Sequence, residues 1–161
     1  MRHLIRRRPR GLTMIELLIA LAIAGVLVAA ASPFFGDYQR NSRLRESGNT
    51  VFTEALMAQS EAIKRNTVIQ LSTAGAVVQV IDLSLPGAPV VLRERRLAAG
   101  VTAAAATVDF TGEGRTTPFG TDVSIDLAHV DATCSSDVRC PGLRVDGGGA
   151  VRLCGDHTSC P

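Results

Sequence analysis

The chain has 161 residues, of which 46% are hydrophobic but only 4% aromatic, with no Trp. Its core must therefore be built from Val, Leu, Ile and Ala, and its length suits one small domain plus an appendage. Five of its 17 basic residues (Arg2, Arg6, Arg7, Arg8 and Arg10) precede Gly11, leaving 12 against 15 acidic residues in the remainder. That remainder lacks the overall positive charge of a general nucleic-acid binder, so any such contact must rest on a local patch.

The basic cluster runs into Gly11, and an apolar stretch follows from Leu12 to Ala31. Twenty helical residues span about 30 Å, the hydrocarbon thickness of a bilayer. The positive cluster would stay cytoplasmic and the rest would be exported. One acid, Glu16, interrupts the stretch, and a carboxylate in a membrane helix costs roughly 2.5–3.5 kcal/mol even on a lenient scale. Ala29-Ala30-Ala31 offers a signal-peptidase site, with a mature chain starting near Ser32. Glu16 argues against that reading, because a secretory signal is purely apolar at this point. Snorkelling toward the membrane face is the plain alternative for Glu16.

After Pro33 the pattern stays helical. Phe34, Phe35, Tyr38, Leu44, Val51, Phe52, Ala55, Leu56, Ala62 and Ile63 recur at three-to-four spacing, which predicts an amphipathic helix ending near Asn66. Arg40, Arg43, Arg45, Glu46, Glu54, Glu61 and Lys64 are expected on its other faces. Leu12 to Arg65 is expected to form one rod, kinked or loosened around Pro33-Gly36.

Beyond Asn66, short alternating runs are separated by turn signals. Strands are predicted over 67–71, 76–81, 90–97, 101–108, 123–126, 143–146 and 150–154. Residues 102–107, TAAAAT, are ambiguous because Ala favours helix. The expected fold class is α+β: a long N-terminal helix, half membrane-spanning and half amphipathic, packed on a β-rich head of two antiparallel sheets.

Cys134, Cys140, Cys154 and Cys160 lie in a Gly- and Ser-rich tail. An even, clustered set indicates two disulfides in an oxidising compartment. The C-x5-C spacing does not suit structural zinc, which favours C-x2–4-C. Three connectivities are possible, and short loops favour Cys134–Cys140 with Cys154–Cys160.

The junction Arg10-Gly11-Leu12-Thr13-Met14-Ile15-Glu16-Leu17-Leu18 resembles that of type IV pilins and type II secretion pseudopilins. The resemblance implies cleavage after Gly11 by a prepilin peptidase and N-methylation of Leu12. Glu16 stands fifth counting from Leu12, where the family carries a glutamate. The resemblance gives that acid a partner, the N-terminal ammonium of Leu12 on a neighbouring subunit. Gly25 and Pro33 match common family positions, with Pro33 a helix breaker. Leu12 departs from the usual Phe. The implied organisation is a leader over 1–11, a transmembrane and assembly helix over 12–33, an amphipathic continuation over 34–66 and a periplasmic head over 67–161. The implied location is the inner membrane, with later incorporation into a pilus or pseudopilus beside other pilins.

Two further stretches resemble the FimT/GspH-type minor pilins. Phe110-Thr111-Gly112-Glu113-Gly114-Arg115-Thr116-Thr117-Pro118 resembles their F-x-x-x-G-R-x-x-P segment. Gly149-Ala150-Val151-Arg152-Leu153-Cys154 resembles the G-R-V-R-x-C stretch, which in some FimT proteins is implicated in DNA binding during uptake. Arg152 matches its second arginine, but Ala150 replaces the first. Arg139 and Arg144 are the candidate compensating residues. Asp131, Asp137, Asp146 and Asp156 lie in the same region, and the tail has no aromatics for base stacking. The plainer reading makes Arg144 and Arg152 solvated strand residues near Asp146 and Asp156, and makes Arg115 an organiser of its glycine-rich loop.

No nucleophile elbow, Walker loop or metal-ligand spacing is present. His129 and His157 are expected at the surface beside aspartates. The resemblance therefore implies a structural subunit, and no enzyme activity, cofactor or metal is expected. A FimT/FimU-like role in pilus assembly is favoured over a GspH-like role in type II secretion, with a DNA-binding pilus-tip subunit as a third reading.

Overall fold

The computed structural model describes residues 13–160. The chain divides into two compact units with their border between Gly36 and Asp37. Gly11 and Leu12 lie outside the described residues.

A single helix, α1, spans Met14–Arg65. The secondary structure is helical at Gly25 and Pro33 too, so Pro33 does not end the element. A proline removes one backbone hydrogen bond and crowds the preceding turn, yet the helix continues through it. The segment Met14–Ala31 is long and apolar enough to cross a membrane, and it is exposed throughout.

The second unit holds the core. From α1 it takes Leu44, Val51, Ala55, Ala58 and Ala62, all fully buried. That face is narrower than the predicted stripe. Tyr38, Leu56 and Ile63 are exposed, because they sit to one side of the 44–51–55–58–62 line.

Eight strands follow: β1 Ile69–Gly75, β2 Val77–Asp82, β3 Val90–Arg96, β4 Val101–Phe110, β5 Thr116–Thr117, β6 Val123–His129, β7 Gly142–Val145 and β8 Val151–Cys154. They pair antiparallel in the order β3-β2-β1-β4-β6-β7-β8, with β5 on β4. Strand β6 joins the two expected sheets. Its residues 127–129 pair with β4, and its residues 123–126 pair with β7. The ambiguous 102–107 run lies within β4, where pairing with β1 overrides the helix preference of Ala. Alternation puts Ile69 and Leu71, Val78 and Val80, and Ile125 and Leu127 on the buried face.

Two polar residues break the expected pattern. Glu54 was expected on a solvated face but is 3% exposed, with its Oε1 3.1 Å from Arg93 Nε and 3.5 Å from Arg95 Nε. Two arginines on β3 make its burial tolerable. His129, expected at the surface, is buried, and its Nδ1 accepts a hydrogen bond from the Asp131 amide at 3.1 Å.

Candidate assembly motif and C-terminal loop site

Helix α1 opens on a capping box. The Thr13 amide and hydroxyl both donate to Glu16 Oε2 at 2.8 Å, and the Glu16 amide donates to Thr13 Oγ1 at 3.3 Å. Thr13 is the N-cap, and Glu16 stands three residues on, as the T-x-x-E signature requires. Glu16 thus closes the helix start and carries a negative charge at the positive end of the helix dipole. The sequence carried this signal in Thr13-Met14-Ile15-Glu16, and the apolar reading of the segment hid it.

The other candidate residues lie in the second unit, where the two motif segments fold against each other. Gln59 of α1 donates from its Nε2 to the Gly114 carbonyl at 2.8 Å and to the Gly149 carbonyl at 2.7 Å. The Thr116 hydroxyl donates to the Gly147 carbonyl at 3.1 Å, and Asp122 Oδ1 accepts from the Gly147 amide at 2.9 Å. Gly147 lies against the Gly120 backbone with no room for a Cβ. Nothing in the sequence marked Gln59, because a glutamine among other polar helix residues has no local signature.

Arg115 organises its loop chiefly through its backbone, whose carbonyl accepts from the Thr111 amide at 2.9 Å. Its guanidinium is exposed and lies 5.6 Å from the centre of the Phe119 ring. That distance suits a cation–π contact.

Arg144 and Arg152 are direct cross-strand partners on β7 and β8, so their side chains share one sheet face. They are not equivalent. Arg144 Nη1 donates to Asp126 Oδ1 at 2.6 Å and to the Leu143 carbonyl at 3.0 Å, and its Nη2 donates to the His157 carbonyl at 3.4 Å. Its acidic partner is Asp126 rather than Asp146 or Asp156, because those two acids cap turns. Asp146 Oδ1 accepts from the Gly148 and Ala150 amides at 3.0 and 2.9 Å. Asp156 Oδ1 accepts from the Thr158 amide at 3.0 Å, which holds its carboxyl below the ordinary aspartate value. Arg152 is exposed, with no hydrogen bond or ion pair among the described residues.

Arg139 does not join them. It lines a cavity with Asn41, Arg45 and Leu153, on the strand face opposite Arg152. Asn41 fixes this loop, donating to the Asp137 carbonyl at 2.6 Å and accepting from the Arg139 amide at 2.9 Å.

Disulfides join Cys134 to Cys140 and Cys154 to Cys160, each with Cα atoms 5.6 Å apart. The tail loop folds back on the first pair, with the His157 amide donating to the Cys140 carbonyl at 2.7 Å. Among the described residues, no group of three or more His, Cys, Asp or Glu is placed to hold a metal ion.

A long helix feeding a β-rich, disulfide-closed head, with an acid in the first turn of an apolar helix, defines a pilin-like protein. Residues 6–32 match the prokaryotic N-terminal methylation motif, and residues 47–156 match the family described as type II transport protein GspH. The chain belongs to that family, as a minor pilin or pseudopilin of the GspH/FimT type. It is 38% identical over 69 residues to the pilin-like protein PilA1 of Thermus thermophilus. That match spans 42% of this chain and 43% of the relative. The fold is similar to crystal structures of the type IV minor pilin FimU of Pseudomonas aeruginosa. One has TM-score 0.56 and 19% identity, over 72% of this chain and 91% of that one. The other has TM-score 0.55 and 17% identity, over 68% and 90%.

Proposed function

We propose that the chain is a non-enzymatic structural subunit of a membrane-anchored filament. It is cut after Gly11 by a prepilin peptidase, N-methylated at Leu12 and assembled beside other pilins through Glu16. The observation that carries this reading is the methylation motif over residues 6–32, continuous with an exposed apolar helix. In this reading residues 1–11 are the leader, 12–33 anchor the chain in the inner membrane, 34–66 continue the helix and 67–161 form a periplasmic head.

The capping box supports a specific role for Glu16. Its Oε2 is taken by Thr13, while its charge remains. An isolated acid in a membrane helix is ordinarily paired. The Leu12 ammonium of a neighbouring subunit supplies the opposite charge and sets the register between subunits. Glu16→Gln tests this, since it retains a capping acceptor but removes the charge. Expected are normal cleavage, normal membrane insertion and loss of the subunit from sheared filaments. Incorporation at wild-type level contradicts the role.

Pilus assembly of the FimT/FimU kind is the preferred setting. A type II secretion pseudopilus is the second reading, supported by the description of the family matched over residues 47–156. Deleting the gene separates them: loss of surface pili supports the first, and loss of exoprotein release with pili intact supports the second. DNA binding at the C-terminal loop has weaker support. Arg144 is engaged by Asp126, Arg139 lies on the other face, and Ala150 brings no charge, so Arg152 alone is free to meet a phosphate.

A further inference from the structure

Strand β3 ends the hydrogen-bonded sheet path, so one side of its backbone faces no other strand of that path. Beside it runs a groove of about 670 Å³ between β3 and α1. Four arginines line it, Arg45, Arg93, Arg95 and Arg96, against two glutamates, Glu46 and Glu54. The groove therefore holds an excess of positive charge on a head that is acidic overall.

Glu54 shows that the groove is built. Its carboxylate is almost fully enclosed and holds Arg93 and Arg95 through Oε1. Its Oε2 has no hydrogen-bond partner, while the Arg93 Nε lies 3.1 Å from Oε1 in the ion pair. The enclosed carboxylate thus fixes Arg93 and Arg95 along the wall of the groove. Arg45 and Arg96 make no hydrogen bond or ion pair among the described residues. At the other end of β3, Val90 and Val91 are about half exposed.

We infer that the β3 edge and its arginine groove are a docking site for an extended, acidic segment of a partner protein, which adds to the sheet as a strand. Backbone N–H and C=O groups of the segment would pair with β3, and its carboxylates would meet Arg45, Arg95 and Arg96. Apolar residues at its other end would cover Val90 and Val91. The arginines also repel unsuitable strands, because inward charges on an edge oppose uncontrolled pairing. Only a segment carrying compensating carboxylates cancels that repulsion, which makes the charge a filter as well as an attraction.

The test uses the full chain in detergent micelles and fluorescein-labelled peptides read by anisotropy. The probe alternates Glu with Val over about eight residues, enough to line a strand of ordinary length. A Lys-Val peptide, an alternately N-methylated Glu-Val peptide and a short DNA duplex are the comparisons. Expected is binding of the Glu-Val peptide that weakens with salt and drops at least tenfold in Arg45→Glu/Arg96→Glu. The milder Arg45→Gln/Arg96→Gln pair should show a smaller loss, and Arg152→Glu none. Melting curves check that the variants fold. The N-methylated peptide should bind at least fivefold more weakly, since it cannot pair along the edge. The proposal is overturned if the acidic peptide does not bind, if both variant pairs bind it like the parent, or if N-methylation has no effect. It is also overturned if DNA alone is captured through these arginines, or if they serve only self-association.

Discussion

Gly149 lies against the carbonyl oxygen of Gly114, so close that no Cβ fits between them. Gly149 also holds φ at +89°, a conformation that only glycine adopts without strain. The glycine of the C-terminal motif and the glycine of the 110–118 motif are thus one packing feature. Gly149→Ala should destabilise the fold by at least about 2 kcal/mol, combining backbone strain with displacement of the Gly114 loop. Urea denaturation of the full chain in detergent, followed by circular dichroism, measures it.

Gln59 holds both carbonyls from the helix side. Gln59→Leu leaves two acceptors without a donor and should cost about 2–3 kcal/mol. Gln59→Glu should be similarly damaging, because its carboxylate faces two carbonyl oxygens. Equal stability of all three proteins would mean that water replaces the amide.

The cross-strand arginines should behave differently. Arg144→Ala breaks the contacts to Asp126 and the His157 carbonyl and should lose about 1 kcal/mol, discounted for the partly exposed pair. Arg152→Ala should stay within about 0.5 kcal/mol of the parent. The same denaturation assay reads both.

Removing the second disulfide by Cys154→Ser/Cys160→Ser should cost about 2 kcal/mol, as expected for a short closed loop. It should also raise amide exchange at His157, whose N–H is held by the Cys140 carbonyl.

Acid should destabilise the head. The Asp82 carboxyl is held below its ordinary value, first by the Ser84 amide at 2.8 Å and then by Arg65. Asp156 is lowered by the Thr158 amide and hydroxyl. A carboxyl with a depressed folded value stabilises the fold above its unfolded value and loses that contribution as pH falls through the folded one. Stability should therefore be flat around neutrality and fall below roughly pH 4. Asp82→Asn should flatten part of that fall, as thermal melts across the acid range will show.

Much of this was legible in the sequence, for identifiable reasons. The strand positions followed from alternation and from turn residues, which act locally. Cys134, Cys140, Cys154 and Cys160 announced themselves by number and spacing. What the sequence concealed depended on distant partners. Glu54 reads as a surface acid until β3 brings Arg93 and Arg95 to it. Likewise, Gln59 has no visible purpose until two loops from far along the chain meet over it. Arg139, Arg144 and Arg152 read as one basic group, and only the fold seats Arg139, in the loop before β7, in a cavity with Asn41 and Leu153. The short β5 was missed because Thr116-Thr117 is too brief to show a period. Two antiparallel sheets were expected, but nothing in β6 reveals that its two halves pair with different strands and so link them.

The most direct test of the account is mass spectrometry of the intact, membrane-extracted protein and its N-terminal peptide. The account predicts a chain beginning with N-methylated Leu12 and lacking four thiol hydrogens. A chain starting near Ser32 would contradict it, because Glu16 would have been discarded before any filament could form.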